Sequence, residues 1–185
     1  MNIFVLSTDP ILAAQMQCDK HVVKMTLESA QMLSTAHRVL DGTPTKIPSK
    51  SGKRMINAWK LDDPIAEKFL YKSVHVNHPC TQWTMESAEN YRWHFEHFSA
   101  LAREFNHRFH KPHLSWTTLC DALTHHPKNI ESHGLTPFRL AMGDYPHLMD
   151  PQNPVESYRA FYKTKQSRFE MKWTNRHVPE WFMDK

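Results

Sequence analysis

The sequence predicts a mainly α-helical protein that folds as one compact domain over residues 1–185. Three observations support this. Long stretches repeat apolar residues about every 3.6 positions, the period of an α-helix. Glycine is scarce, with 4 residues in 185. The chain also contains no internal repeat, no low-complexity segment and no linker, so nothing divides it. We therefore expect a short extended N-terminal arm and two long central helices.

The first elements follow from local signals. Asn2–Leu6 is a short extended run, which we expect as either a lone edge strand or a buried arm. Asp9 followed by Pro10 marks a helix start, because an aspartate caps the free amides and proline suits the first turn. A short helix should lead into the first long helix, Cys18–Leu40, which neither glycine nor proline interrupts.

The second long helix should begin at Pro79 and end near Phe109, with Tyr91, Phe95 and Phe98 on its core face. The stretch between the long helices opens with a basic segment, Asp41–Lys53, which we expect as a loop because it holds two prolines and two glycines. Its basic character fits a loop that contacts phosphate, and a solvated surface loop is the other interpretation. Three shorter helices are expected at 62–72, 114–124 and 154–169. The aromatic tail, with Trp173, Trp181 and Phe182, should dock on the core.

A polar stripe runs along the first long helix. At about 100° per residue, His21, Glu28 and Thr35 fall on one line, with Lys24 beside it. Apolar residues border this line on both sides, which is unusual for a simple surface helix and indicates an imidazole, a carboxylate and an amine facing a cleft. The alternative is an ordinary solvated face, because Lys24 and Glu28 also form a common helical pair.

The second long helix carries a comparable stripe of Trp83, Glu86 and Asn90. If the two stripes face each other, His21 and Glu28 would meet His78, Glu86 and Asn90, an arrangement suited to acid–base chemistry. Trp83 could then stack on a base. A buried polar network between the helices is the other interpretation.

Basic residues interleave with aromatic ones in the last third of the chain, a pattern that suits phosphate contacts and base stacking. The formal net charge of +4 agrees with a nucleic-acid partner without requiring one. Arg159 and Lys172 are the basic residues that we expect to contact substrate. The wider set of basic residues is Lys20, Lys24, Arg54, Lys72, Arg139, Lys163, Lys165 and Arg176.

Other classes of function are less well supported by the residues. The chain has no glycine-rich phosphate loop, which argues against the common nucleotide-binding motifs. Cysteine and histidine could hold zinc in a nucleotide-modifying or small-molecule enzyme, although the spacing fits no common ligand motif and we otherwise expect no cofactor. The residues concerned are Cys18, His21, His75, His78 and Cys80.

The cellular setting is predicted from absent signals. Three scattered cysteines indicate no disulfide framework and a reducing compartment. We see no signal peptide and no apolar run long enough to span a membrane. We therefore expect a cytoplasmic protein without a membrane partner.

Two stretches resemble the small phage-type pyrimidine-dimer DNA glycosylases. The extended run, helix start and long helix with a carboxylate resemble the opening of that family. The segment from Asn77-His78-Pro79 through Glu89-Asn90-Tyr91 to Arg103-Glu104-Phe105-Asn106 looks like its second long helix. The likeness covers roughly the first 110 residues and lies in layout more than identity. The chain also resembles an uncharacterised phage protein family with a CDKHVVKM-type segment, which would place it in the host cytoplasm.

The resemblance implies a helical DNA glycosylase with lyase activity on modified or damaged double-stranded DNA. An amine would attack the sugar C1′ and form a Schiff base, assisted by a carboxylate. Glu28 is the best carboxylate here and Asp19 the second. His21 and His78 would contact the substrate, Asn77 would lie near it, and Trp83 would receive a flipped nucleotide.

The chain departs from that family at its second residue. The family uses the amine of a small residue exposed after Met1 is removed, whereas Asn2 is a poor context for that removal. The retained Met1 amine, Lys20 or Lys24 would then be the nucleophile, or lyase chemistry would be absent. A non-catalytic nucleic-acid-binding or host-interaction protein is the main alternative.

Overall fold

The computed structural model describes residues 1–49 and 51–183, and over that range the protein is mainly α-helical. Two short 3-10 segments, Pro146–Leu148 and Thr164–Ser167, lie before and after the helix Pro154–Lys163. The elements in chain order are α1 (Pro10–Gln15), α2 (Asp19–Asp41), β1 (Thr43–Pro48), β2 (Met55–Lys60), α3 (Pro64–Phe69), α4 (Pro79–Glu86), α5 (Ala88–Phe109), α6 (Leu114–Leu123), α7 (Pro154–Lys163) and α8 (Glu180–Met183). No described helix combines the length and the apolar character needed to cross a membrane.

Helices α2 and α5 pack on each other and carry the core between them. One half of the core gathers around the N-terminal arm, α1 and α7, and the other around α6. Leu33 of α2 and Phe98 of α5, both fully buried, lie in the second half together with Leu119 of α6. The expected docking of the tail is confirmed: Trp173 is buried, and its indole Nε1 donates to the carbonyl of Met16 at 2.9 Å.

The predicted second long helix is divided at Ser87, which corrects the boundary Pro79–Phe109. Ser87 is extended, with φ −148° and ψ 158°, and separates α4 from α5. Its hydroxyl accepts from the amide of Asn90 at 3.1 Å, so it caps the second helix, and it donates to the carbonyl of Gly134 at 2.8 Å. The loop at Gly134 therefore holds the break.

The predicted basic loop Asp41–Lys53 is instead largely a β-hairpin. Strands β1 and β2 pair antiparallel, with Thr43 opposite Lys60 and Pro48 opposite Met55. Gly52 makes the turn with a positive φ of 70°, which glycine adopts at little cost. Prolines are tolerated in β1 because neither strand of a two-stranded ribbon is central.

Arg38 near the end of α2 fixes the base of this hairpin. Its guanidinium is 1% exposed and donates to the carbonyl of Trp59 in β2 at 3.0 Å. It also donates to the carbonyls of Leu70 at 2.9 Å and Tyr71 at 2.6 Å, and to the carboxylate of Glu67 at 2.6 Å. One buried side chain thus ties α2, the hairpin and the segment after α3 together.

The N-terminal run is a buried arm, one of the two arrangements expected for it. Ile3 is 1% exposed, and its carbonyl accepts from the side-chain amide of Gln17 at 3.0 Å. The side chain of Asn2 donates to the carbonyl of Ala141 at 2.8 Å and accepts from the amide of Phe4 at 2.8 Å. Asn2 therefore holds the arm in place, which gives a structural reason for a polar residue of this size at position 2.

Candidate active site beside the N-terminal arm

A cavity of about 350 Å³ lies between the N-terminal arm, α2 and the segment after α7. Polar and charged residues are concentrated on the α2 side, and aromatic rings line the opposite side. Its walls are formed by Met1, Asn2, Phe4, Lys20, His21, Lys24, Met25, Glu28, Ala141, Phe161, Lys165, Arg168 and Phe169.

Glu28 is the only carboxylate among these wall residues, and it is 9% exposed. Its Oε2 accepts a hydrogen bond from the backbone amide of Asn2 at 3.0 Å and lies 3.7 Å from the α-amino nitrogen of Met1. Its Oε1 lies 3.3 Å from Nζ of Lys24, one turn earlier on α2. The carboxylate therefore faces the α-amine of Met1 on one side and an exposed lysine amine on the other.

His21 forms part of the same wall and is held neutral. Burial, reinforced by repulsion from Lys24 and Lys165, lowers its pKa to about 4. Its Nδ1 lies 2.7 Å from the hydroxyl of Tyr162, which itself accepts from the amide of Cys18. We assign the hydroxyl of Tyr162 as the donor to Nδ1, which leaves the histidine proton on Nε2.

Lys165 is the residue of this site that the sequence does not single out. It follows α7, is 7% exposed, and places Nζ 3.5 Å from the ring centre of Phe161 and 5.6 Å from that of Tyr145. Burial, and then repulsion from Arg168, lowers its pKa from 10.5 to about 8. In the sequence it is one of many basic residues near aromatic ones, and no local pattern places it opposite α2.

The structure brings together three of the predicted catalytic residues, His21, Lys24 and Glu28. The fourth, His78, lies nearby but does not line the cavity. It caps α4 by accepting from the amide of Cys80 at 3.2 Å, and burial together with the neighbouring N-terminal amine lowers its pKa. Asp19, the second-choice carboxylate, is instead paired with Arg108 at 3.1 Å outside the cavity.

The stripe on the second helix does not line this cavity, which favours the other interpretation given above, a buried polar network. Trp83 is 1% exposed and packs against the rings of Trp93 and Phe138, so it offers no face to a flipped base. Asn90 is fully buried and donates to the carbonyl of Trp83 at 2.8 Å. Glu86 pairs with Arg139 at 2.8 Å and does not line the cavity.

The remaining predicted substrate contacts also lie outside the cavity. Asn77 is exposed. Arg159 donates to the carbonyl of Leu6 at 3.0 Å and pairs with Glu156. Lys172 is exposed and pairs with Glu170 at 3.0 Å. Any contact these three make with a substrate would be made beyond the cavity.

The proposed zinc ligands do not converge. Within residues 1–49 and 51–183, no group of three or more His, Cys, Asp or Glu side chains is arranged to hold a metal ion. Cys18 and Cys80 are both buried, and Sγ of Cys80 contacts the hydroxyl of Tyr158 at 3.8 Å. The zinc alternative therefore has no ligand cluster in this part of the chain.

Comparison with known proteins adds no relative. No model of a protein family matches the chain, and neither a curated protein nor a solved structure matches it.

Proposed function

We propose that the protein is a base-excision-type DNA glycosylase with associated lyase activity, acting on modified or damaged duplex DNA. One observation carries the proposal: the carboxylate of Glu28 lies 3.7 Å from the α-amine of Met1 in a cavity open to a ligand. A nucleophilic amine next to a carboxylate that can take up and return its proton is the chemistry that such an enzyme needs.

The charge of the cavity favours a substrate with phosphate groups. Five cationic groups line it, and Glu28 is the single carboxylate opposite them. Such an excess of positive charge attracts a nucleic-acid backbone more strongly than a neutral base or nucleoside. The five groups are the α-amine of Met1 and the side chains of Lys20, Lys24, Lys165 and Arg168.

In the proposed reaction Glu28 takes a proton from the ammonium form of the amine, and the neutral amine attacks C1′ of the nucleotide sugar. The bond from C1′ to the base breaks, and the leaving base takes the bonding electrons and the proton that Glu28 holds. Glu28 then accepts the second proton that the amine loses and returns it to the ring oxygen as the sugar opens, which leaves a protonated Schiff base. Transfer of a C2′ proton to water expels the 3′ phosphate, and hydrolysis of the Schiff base by water releases the amine.

The α-amine of Met1 is the first candidate for the nucleophile because it lies 3.7 Å from the carboxylate of Glu28, inside the cavity wall. Lys24 is also close to Glu28, but 63% of its side chain is exposed. Lys165 is a third candidate, because a pKa near 8 leaves an appreciable neutral fraction at neutral pH.

A flipped nucleotide would meet aromatic rings in this cavity, although not Trp83. Phe4 and Phe161 stack at 6.0 Å, and Phe169 contacts His21 edge-on at 5.4 Å. All three phenylalanines border the cavity. Phe4 and Phe161 are buried, so Phe169, which is only partly buried, is the ring of the three that could stack on an unpaired base taken out of the duplex.

Borohydride trapping tests the proposal directly, with duplexes that are undamaged, mismatched, abasic, damaged or base-modified. We expect a covalent adduct with at least one of them, and peptide mapping identifies whether Met1, Lys20, Lys24 or Lys165 carries it. A separate base-release assay covers glycosylases that form no Schiff base. An absence of both adduct and base release across the panel would contradict the proposal and favour a binding-only role.

The Glu28→Gln variant separates catalysis from folding. We expect adduct formation to fall by at least about 100-fold, since a proton-transfer group of this kind contributes roughly 10²–10⁴. The melting temperature should fall by only a few degrees, because the exposed Lys24 pair is weak and glutamine still accepts from Asn2. Glu96→Gln on the exposed face of α5 is the matched control. A large loss of stability with normal activity would assign Glu28 a structural role.

A further inference from the structure

We propose that the β1–β2 hairpin is a second DNA-contacting surface, which binds the phosphate backbone of a duplex whose target nucleotide occupies the cavity. The identity of the partner rests on the proposed function. The hairpin lies outside the cavity and contains none of the residues assigned above to catalysis. The sequence predicts a basic loop here, either solvated or in contact with phosphate, and only the structure shows that the segment forms a hairpin.

The first support is unbalanced charge. Residues 43–60 include five lysines or arginines and no aspartate or glutamate. Of these, Lys46, Lys53, Arg54 and Lys60 are described and exposed. Among the described residues, no carboxylate lies within ion-pair distance of any of the four, whereas exposed Lys72 pairs with Glu67 at 3.1 Å. Unpaired cations concentrated on one projecting element are the electrostatic pattern of a phosphate contact.

The second support is the shape of the element. In an antiparallel pair, directly opposed residues point to the same face, so Lys46 with Asn57 and Pro48 with Met55 share one side of the ribbon. Ala58 on the other side is buried, whereas Ile56 and Lys60 on that same side are exposed, so both sides of the ribbon offer surface to a partner. A two-stranded ribbon is one of the few elements that fit the major groove of B-DNA, which is about 12 Å wide.

The third support is a firm attachment to α2. Arg38 binds the carbonyl of Trp59 at 3.0 Å, and Leu61 just beyond β2 donates to the carboxylate of Glu67 at 3.0 Å. Gly42 sits so close to the helix end that an added Cβ would lie 2.4 Å from the carbonyl oxygen of Arg38. The base of the hairpin is therefore held in place before any partner binds, which reduces the ordering cost of binding.

The distance along α2 sets the scale of the complex. Asp41 follows Glu28 by 13 positions on one continuous helix, which corresponds to about 20 Å at 1.5 Å per residue. That length equals about six base pairs at 3.4 Å each. A duplex of 20 base pairs is long enough to contact both places.

The test compares two triple variants that lose the same charge. The hairpin variant is Lys46→Gln, Lys53→Gln, Arg54→Gln, and the control is Arg103→Gln, Lys111→Gln, Lys128→Gln at exposed positions of α5 and two loops. Fluorescence anisotropy measures Kd for an undamaged 20-base-pair duplex from 50 to 200 mM salt. We expect the hairpin variant to bind at least about tenfold more weakly, with a salt slope reduced by about 0.9 per lost phosphate contact.

A third variant guards against a folding artefact. Lys46→Arg, Lys53→Arg, Arg54→Lys keeps every charge and should retain the affinity of the natural protein. Equal affinity of the hairpin and control variants would overturn the proposal, as would no binding of duplex DNA by the natural protein. Tighter hairpin-dependent binding of a matched RNA duplex would also overturn it.

The same samples distinguish this inference from the proposed reaction. If no adduct and no released base are found while duplex binding still depends on the hairpin, the hairpin surface stands and the proposed activity falls. If adducts form equally well in both triple variants and their affinities are equal, the activity stands and the hairpin surface falls.

Discussion

Replacing Lys165 by methionine should stabilise the protein at neutral pH. Lys165 is 7% exposed, and no carboxylate lies within ion-pair distance of its amine among the described residues. Asp144 attracts the charge from further away, so folding removes the charge from water with only partial compensation. The face of Phe161, 3.5 Å away, offsets part of that cost. Methionine has a similar length and fills the same space without a charge.

The pKa of Lys165 sets the size of the effect. Its fall from 10.5 to about 8 corresponds to an upper limit of about 3 kcal/mol, at 1.36 kcal/mol per pKa unit. The amine borders an open cavity, where water screens part of this cost, so we expect a gain of about 1–3 kcal/mol. For a domain of this length that is a rise in melting temperature of about 2–12 °C.

The pH dependence gives the sign of the effect independently. Below pH 8 both folded and unfolded chains carry the proton, so the full penalty is present in the natural protein. Between about pH 8 and 10.5 the unfolded chain binds more protons than the folded one, so the penalty disappears as the pH rises. The stability gap between Lys165→Met and the natural protein should therefore be largest below pH 8 and should close towards pH 10.5.

Urea unfolding at pH 7, 8, 9 and 10 measures this gap, with Lys111→Met as a control because that lysine is exposed. The control should differ from the natural protein by less than about 0.5 kcal/mol at every pH. A Lys165→Met protein that is less stable than the natural one at pH 7 would refute the reasoning. It would mean that contacts such as the one with Phe161 outweigh the burial of the charge.

Two further substitutions test the structural assignments. Arg38→Ala should destabilise the protein by about 3–5 kcal/mol, because Glu67 and several carbonyls lose a buried partner. Thermal unfolding measures the loss, and a value below about 1 kcal/mol would contradict the role assigned to Arg38. Trp83→Phe should lower the free energy of unfolding, measured in urea, by about 1–3 kcal/mol, because Trp83 lies in the core. At temperatures where the variant is folded, its adduct formation should stay within a few-fold of that of the natural protein. A 100-fold loss of adduct with unchanged stability would restore Trp83 as a base-stacking residue.

The helices were predictable where a local signal sets them. Asp9 and Asp63 cap α1 and α3 through their side chains, each directly before a proline, as the sequence indicates. The break at Ser87 was not predictable, because apolar periodicity continues through it and the partner of its hydroxyl, Gly134, is 47 residues away. The hairpin was missed because prolines and scattered lysines give no alternation of apolar and polar residues.

The candidate site was predictable only along one helix. His21, Lys24 and Glu28 share a face of α2 because their spacing follows the helical period, and this needs no tertiary information. Lys165 reaches the same cavity across 137 residues, which no local pattern encodes. Periodicity shows that residues share a face but not whether that face meets a cavity or the core, and Trp83 lies in the core.

The electrostatics of the cavity connect the stability of the fold to the proposed substrate. Glu28 cannot balance five cationic groups, and the lowered pKa values of His21 and Lys165 are consequences of burial within that positive field. Proteins retain such costly arrangements mainly where a site uses them. A phosphate group entering the cavity would supply the missing negative charge and favour the protonated form of Lys165. It would leave the α-amine of Met1 beside the carboxylate of Glu28, so in the proposed reaction the lysines would neutralise the backbone while the α-amine attacks the sugar.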